Sequence, residues 1–342
     1  MGQLYRISKE KLKDGLSKGL KDYKLAALVR KQGRLLYNYV TKVEDIHWTA
    51  APTVLPFKKF LFPQDEVLLE YTSDGKNISP TLKATPQILF GMHPCDIHSM
   101  QILDEAFSDH EGDPNYMIHR EKAIIIGLDC LKLCDKDSFC YKVKAQNVVK
   151  GFDWMLYPES ETSFLLEVAT DKGKLLLRQY FQNIEAAKPE ELNSIKAKKE
   201  QAFKEYKPFK QLDQLPDIYE NNKDHPVWKE EGDRCLSCGS CIMVCPTCYC
   251  FDVTDEFAIS LKKGKRIRRW DACMLSSFAV VAGGENFRST AEARLKHRIQ
   301  RKFNYLMKKH GQAVCVGCGR CVRACLAEIS PKTMTEKITS EI

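Results

Sequence analysis

Short runs of consecutive apolar residues punctuate the first half of the chain: "QILFGM" at 87–92, "KAIIIGL" at 122–128 and "FLLEVAT" at 164–170. Such runs suit strands buried on both faces, where every side chain meets a covered surface. Between the first two, "DIHSMQILDEAF" spaces its apolar residues for a helix. Strands alternating with helices predict an α/β (or α+β) N-terminal domain over residues 1–183, built on a parallel or mixed sheet. The extreme N-terminus, "MGQLYRISKEKLKDGL", is charged and helical in pattern.

Residues 184–228 read as a charged helical connector. "PEELNSIKAKKEQAFKEYKPF" has helical spacing, and its lysines are expected to form a solvated face. Further on, "KKGKRIRRWDAC" is a basic turn into a strand-like run. "STAEARLKHRIQRKFNYLMKKHG" predicts a helix with Ser289 or Thr290 as N-cap and Gly311 past its end. Leu295, Ile299, Phe303 and Leu306 share one face at helical spacing. Arg294, Arg298, Arg301, Lys302, Lys308 and Lys309 are then expected to make the exposed side cationic, either as a solvated face or as a docking surface for an acidic partner.

Composition narrows the chemistry. The chain has 342 residues, 44% of them hydrophobic, and carries a formal charge of +8. That charge would permit nucleic-acid binding, but no nucleic-acid-binding motif accompanies it. The N-terminus lacks the apolar core of a signal peptide, and no run approaches the ~18 apolar residues of a membrane span. The expected location is cytoplasmic, where thiols stay reduced, so the fifteen cysteines are expected to bind metal rather than one another.

Their spacing identifies the metal. Cys235, Cys238, Cys241 and Cys245 fall as C-x2-C-x2-C-x3-C before Pro246, and Cys315, Cys318, Cys321 and Cys325 repeat the spacing with Leu326 in place of the proline. This is the run that houses two [4Fe-4S] clusters, with the fourth cysteine of each run serving the other cluster. Cys235, Cys238, Cys241 and Cys325 are therefore expected to hold one cluster, and Cys315, Cys318, Cys321 and Cys245 the other. The domain at 229–342 is predicted to be mainly helical and bacterial-ferredoxin-like, with a long basic insertion at 251–314. Gly239 and Gly319 stand between the second and third ligands, where a side chain would crowd the cluster.

Four more cysteines follow the first two apolar runs: Cys95, and then Cys130, Cys134 and Cys140. Loops leaving neighbouring parallel strands emerge at one edge, so these thiols are expected to converge on a third [4Fe-4S] cluster, with zinc or no metal as the alternatives. His93 and His98 flank Cys95 and would tune a cluster by hydrogen bonding or serve structure alone. Cys248, Cys250 and Cys273 are expected to pack beside the clusters. There is no Gly-x-Gly-x-x-Gly in a strand-to-helix setting, no Walker A loop and no Gly-x-Ser-x-Gly. No FAD or NAD is expected in this chain.

"CLSCGSCIMVCPTCYCFDVTDE", "RRWDACMLSSFAVVAGGENFRSTAEARLKHRIQRKFNYL" and "CVGCGRCVRAC" together resemble the beta subunits of cytoplasmic sulfhydrogenases, which are bidirectional nickel–iron hydrogenases. The iron–sulfur A subunit of anaerobic sulfite reductase belongs to the same wider family. The resemblance is specific over roughly residues 228–330 and continues more loosely through "PTVLPFKKFLFP", "FGMHPCD" and "GFDWMLYPES". Similar proteins often have Cys-Phe-Cys where this chain has Ser138-Phe139-Cys140, so Cys134 would supply the displaced ligand. The resemblance implies a non-catalytic electron-transfer subunit in a hetero-oligomer. Its partners would be a flavoprotein NAD(P)H-reductase subunit and a catalytic metallo-subunit. The alternative is an enzyme subunit whose cluster has an open iron that binds a sulfur substrate.

Overall fold

The computed structural model describes residues 2–48 and 53–340, which leaves out Pro52, the first residue of "PTVLPFKKFLFP". It has a mixed α/β architecture. Its strands are β1 (Gln3–Ser8), β2 (Lys24–Lys31), β3 (Arg34–Val40), β4 (Asp65–Thr72), β5 (Ile78–Pro80), β6 (Gln87–Met92), β7 (Ala123–Leu128), β8 (Trp154–Pro158), β9 (Ser163–Val168), β10 (Glu185–Ala186), β11 (Phe251–Phe257) and β12 (Lys263–Trp270). Eight of them form one sheet in the order β10-β1-β9-β8-β7-β6-β2-β3. The central strands β2, β6, β7 and β8 run parallel, and β3, β9, β1 and β10 join antiparallel.

Both faces of this sheet are covered, which explains the uninterrupted apolar runs. Ile88, Phe90, Ile124 and Ile126 face one core with Leu12 and Leu16 of the helix Lys9–Gly19. Leu89 and Ile125 face the other with Ile97, Met100 and Leu103 of the helix Pro94–Ser108. Adjacent strand residues point to opposite sides, so each run feeds two cores at once. Because β6 and β7 are parallel neighbours, with Gln87 opposite Ala123, their C-terminal ends lie side by side.

Two sequence expectations are corrected here. The N-terminus is not helical from its start: Gln3–Ser8 pairs with β9, and the helix begins at Lys9, where the Ser8 hydroxyl accepts from the Lys11 N–H. Cross-strand pairing outweighs the local charge pattern. The lysine-rich stretch is also more than a solvated face. Its helix Pro189–Phe203 buries Leu192 and Ile195 in the sheet core, and Lys199, 5% exposed, forms a 2.5 Å ion pair with Asp129.

The basic run becomes β12. With β11 it extends a second sheet, order β11-β12-β4-β5, so residues 251–270 are sewn onto residues 65–80. Arg268, 1% exposed, anchors the junction through Glu66 at 2.5 Å and through Asp113. A third core surrounds the cysteine-rich loops and includes Tyr219, Trp228, Leu295, Ile299 and Phe303. Among the described residues, no helix is long and apolar enough to cross a membrane.

The basic helix begins where its cap requires, with the Thr290 hydroxyl accepting from the Ala293 N–H, and ends at Gly311 with φ +66°. Its middle is not α-helical. Arg301–Tyr305 is a π turn, and the Lys302 carbonyl accepts from the Val314 N–H at 3.0 Å. The wider turn moves the apolar face along by one residue, so Met307 enters the core and Leu306 is only half-buried. The expected exposed cationic side is also corrected: Arg294, Arg298 and Lys302 are all buried, and the last two face thiols.

Candidate metal centre

The two cysteine runs fold into the same backbone. In each, the residue before the second cysteine and the glycine after it are left-handed: Ser237 and Gly239 in the first, Gly317 and Gly319 in the second. Each glycine then starts a one-turn helix, Ser240–Met243 or Arg320–Arg323. The positive φ calls for glycine. At Gly319 a Cβ would also lie 2.6 Å from the Asp137 carbonyl oxygen, so the crowding comes from the N-terminal half of the chain. Backbone N–H groups point at sulfur: Ser240 to Cys238, Gly317 to Cys315 and Arg320 to Cys318. Such amides stabilise thiolate and anionic cluster charge. Leu326 does not disturb this repeat, because Glu328 N–H bonds to the Cys325 carbonyl just as Cys248 N–H bonds to that of Cys245.

The fourth cysteines lie across from their own runs. Cys325 lines one small cavity with Cys235, Cys238 and Cys241, and Met274 and Arg298 line it too. Cys245 neighbours Cys315 and Cys318, which in turn neighbour Cys321. Burial pushes the Cys241 and Cys318 thiols up to about 11, so metal must displace their protons to bind there.

Buried cations face these thiols. Arg298 is 4% and Lys302 7% exposed, and among the described residues neither pairs with a carboxylate. Burial alone would lower both pKa values, but Cys241, Cys321, Cys245 and Cys248 hold Arg298 well above its ordinary value, and Cys245, Cys248 and Cys315 raise Lys302. An unpaired buried charge is costly. Two of them beside eight clustered thiols fit an anionic group bound between them, as [4Fe-4S] clusters on thiolates are. Spacing alone could not single out these side chains, since a helical wheel treats every cation as solvated.

The N-terminal cysteines gather against the second run. Cys95 opens the helix after β6, Cys130 follows β7, and the two thiols are neighbours. Cys130 hydrogen-bonds Cys134, and Cys140 neighbours both Cys134 and Cys318. The contact is held by Phe139 N–H donating to the Gly317 carbonyl at 2.7 Å. Arg320 spans the join: its guanidinium meets Asp96 at 2.8 Å, both residues 1% exposed, and donates to the Thr53 carbonyl at 3.0 Å. His98 is engaged by the Asn147 carbonyl at 2.5 Å, a structural role. The free thiol of Cys248 is hydrogen-bonded with Cys245, and that of Cys250 with Cys273.

Comparison with known proteins gives two findings. Residues 234–329 match the family model described as a 4Fe-4S dicluster domain. Over 318 residues the chain is 32% identical to sulfhydrogenase 2 subunit beta of Pyrococcus furiosus, covering 91% of this chain and 90% of that protein. The chain belongs to the sulfhydrogenase beta-subunit family. As a beta-subunit family member with a dicluster domain it is an iron–sulfur, electron-transfer type of subunit, and its metal groups are [4Fe-4S] clusters.

Proposed function

We propose that the chain relays single electrons through three [4Fe-4S] clusters inside a cytoplasmic hetero-oligomeric complex. The electrons would pass between a flavin-containing NAD(P)H-reductase subunit and a catalytic subunit of hydrogenase or sulfur-reductase type. In this reading Cys235, Cys238, Cys241 and Cys325 hold the first cluster, and Cys245, Cys315, Cys318 and Cys321 the second, in a ferredoxin-like module. The N-terminal thiols Cys95, Cys130, Cys134 and Cys140 serve the third. Residues 1–183, 184–228 and 229–342 act as sheet domain, connector and dicluster unit, tied together by the hairpin 251–270.

The observation that carries this reading is the pair of buried cations with no carboxylate partner among the described residues, Arg298 facing thiols of both sets and Lys302 those of the second. The clusters supply one-electron redox chemistry. The chain's own residues hold them, exclude water with the surrounding core, and offset the charge each added electron brings. Anaerobically prepared protein is expected to contain about twelve irons, four per cluster, by metal analysis. About eight would remove the N-terminal cluster, and about four or fewer would break the dicluster reading.

Electrons must leave where a centre lies near the surface, since tunnelling falls steeply with distance. At the mouth of the first cavity Cys238 is exposed, and it is flanked by Leu236 and Leu326, 64% and 85% exposed. An apolar rim around an exposed ligand suits a partner subunit. The double change Leu236→Asp, Leu326→Asp is expected to slow electron exchange with the partner about tenfold or more, the equivalent of about 1.4 kcal/mol, while iron content and cluster spectra stay unchanged. Unaltered exchange in stopped-flow would place the exit elsewhere.

A further inference from the structure

The N-terminal site contains a donor that the cysteine spacing leaves unused. His93 caps the start of the helix Pro94–Ser108, yet its side chain makes no capping bond. It is 1% exposed, and its Nδ1 has no hydrogen-bond partner among the described residues. The ring is aimed into the thiols. Donor atoms of His93, Cys130 and Cys134 lie within 4.8 Å of one another, and so do those of His93, Cys95 and Asp96. Cys140 belongs to neither group. Asp96 is already committed to Arg320. His93 is the donor common to both groups and so joins Cys95 to Cys130 and Cys134, while Cys140 neighbours Cys134 and Cys318.

The chemistry of the ring agrees with the geometry. An imidazole nitrogen with no hydrogen-bond partner is open to ligate metal. Three thiolates and one imidazole form an established donor set for zinc, and imidazole replaces thiolate as an iron ligand in Rieske-type iron–sulfur centres.

We propose that His93, in place of Cys140, ligates the metal centre of the N-terminal site through Nδ1, completing a three-thiolate, one-imidazole set with Cys95, Cys130 and Cys134. This rests on the reading that the site holds a [4Fe-4S] cluster. Exchanging a thiolate for a neutral imidazole removes one negative charge from the first coordination sphere. The N-terminal centre is then the highest in potential of the three, as histidine ligation raises the potential of other iron–sulfur centres.

The test uses the whole protein, prepared anaerobically with 15N-labelled histidine and partly reduced with dithionite. Pulsed electron paramagnetic resonance on the signal with the highest midpoint potential is expected to show the strong 15N coupling of a directly bound ring nitrogen. That coupling is expected to vanish in His93→Cys, with iron content retained and the potential of that centre alone shifted down. His93→Ala is expected to lose about four irons of about twelve. A third cluster whose signal shows no coupling, or only the weak coupling transmitted through a hydrogen-bonded sulfur, overturns the proposal while leaving the cluster reading intact. Iron near eight with bound zinc ends the cluster reading instead. X-ray absorption at the zinc edge then decides: a nitrogen in the zinc shell, lost in His93→Cys, keeps His93 as a ligand, and a shell of sulfur alone overturns it. An N-terminal site with neither iron nor zinc overturns both.

Discussion

Cys325→Ser is expected to abolish the cluster served by Cys235, Cys238 and Cys241, far upstream in the chain, and to spare the one served by its own neighbours. Cys325 lines the first cavity opposite those three cysteines, and the Ile329 N–H donates to its sulfur at 3.4 Å from behind, fixing its direction. Serine keeps the size but offers a hard, weakly acidic hydroxyl where iron–sulfur chemistry needs a soft thiolate. The protein should lose about four of about twelve irons and one of its magnetic signals. Cys245→Ser is expected to do the reverse. Cys245 is surrounded by Cys315, Cys318 and Lys302, so the second centre disappears and the first stays. Resolved spectra of the two single variants are the measurement. If each change acted on the centre of its own run, the two runs would be separate sites and the buried cations between them would need another explanation.

Arg298→Met is expected to lower the midpoint potentials of both dicluster centres, and Lys302→Met that of the second alone. The difference follows from position. Arg298 neighbours Cys241 of the first set and Cys321 and Cys245 of the second, whereas the proposed ligands that act most on Lys302, Cys245 and Cys315, both belong to the second. Reduction adds a negative charge, and a nearby fixed cation stabilises that reduced state, so removing the cation makes reduction harder. A unit charge at roughly 7 Å in an effective dielectric near 20 contributes about 2.4 kcal/mol. For one electron that corresponds to a shift of roughly 100 mV. Because both cations are buried, the shift should persist at high salt, where an exposed charge would be screened. Redox titration followed by electron paramagnetic resonance distinguishes the cases. Unchanged potentials with full iron content would mean that the cations serve only packing. Arg298→Glu goes further: it places an anion beside two anionic centres, and iron should fail to be retained at either.

The parts of this protein that sequence alone determined are those whose chemistry is local. A cluster loop needs three thiolates within a few residues and glycine where φ is positive, so Cys235 to Cys241 and Cys315 to Cys321 are legible by spacing, with Gly239 and Gly319 as punctuation. A strand covered on both faces needs an unbroken apolar run, so β6 and β7 were legible too. Their parallel pairing, which brings Cys95 and Cys130 to one edge, follows from helices filling the crossovers. What the tertiary structure decided depends on groups far apart in the chain. The Gln3–Ser8 segment became a strand only because β9 offered it a partner. Residues 251–270 left the cluster domain for a sheet begun at Asp65, because an antiparallel hairpin satisfies its edge by pairing. Arg298 and Lys302 were indistinguishable in sequence from Lys308 and Lys309, all cations on one helix. Which of them face water was settled by a π turn at Arg301–Tyr305 and by thiols contributed both from the first run, far upstream, and from the second run, downstream. His93 likewise looked like a neighbour of Cys95. Only the fold brought its ring against Cys130 and Cys134, because it takes two adjacent parallel strands to carry residues about forty apart in sequence into one site.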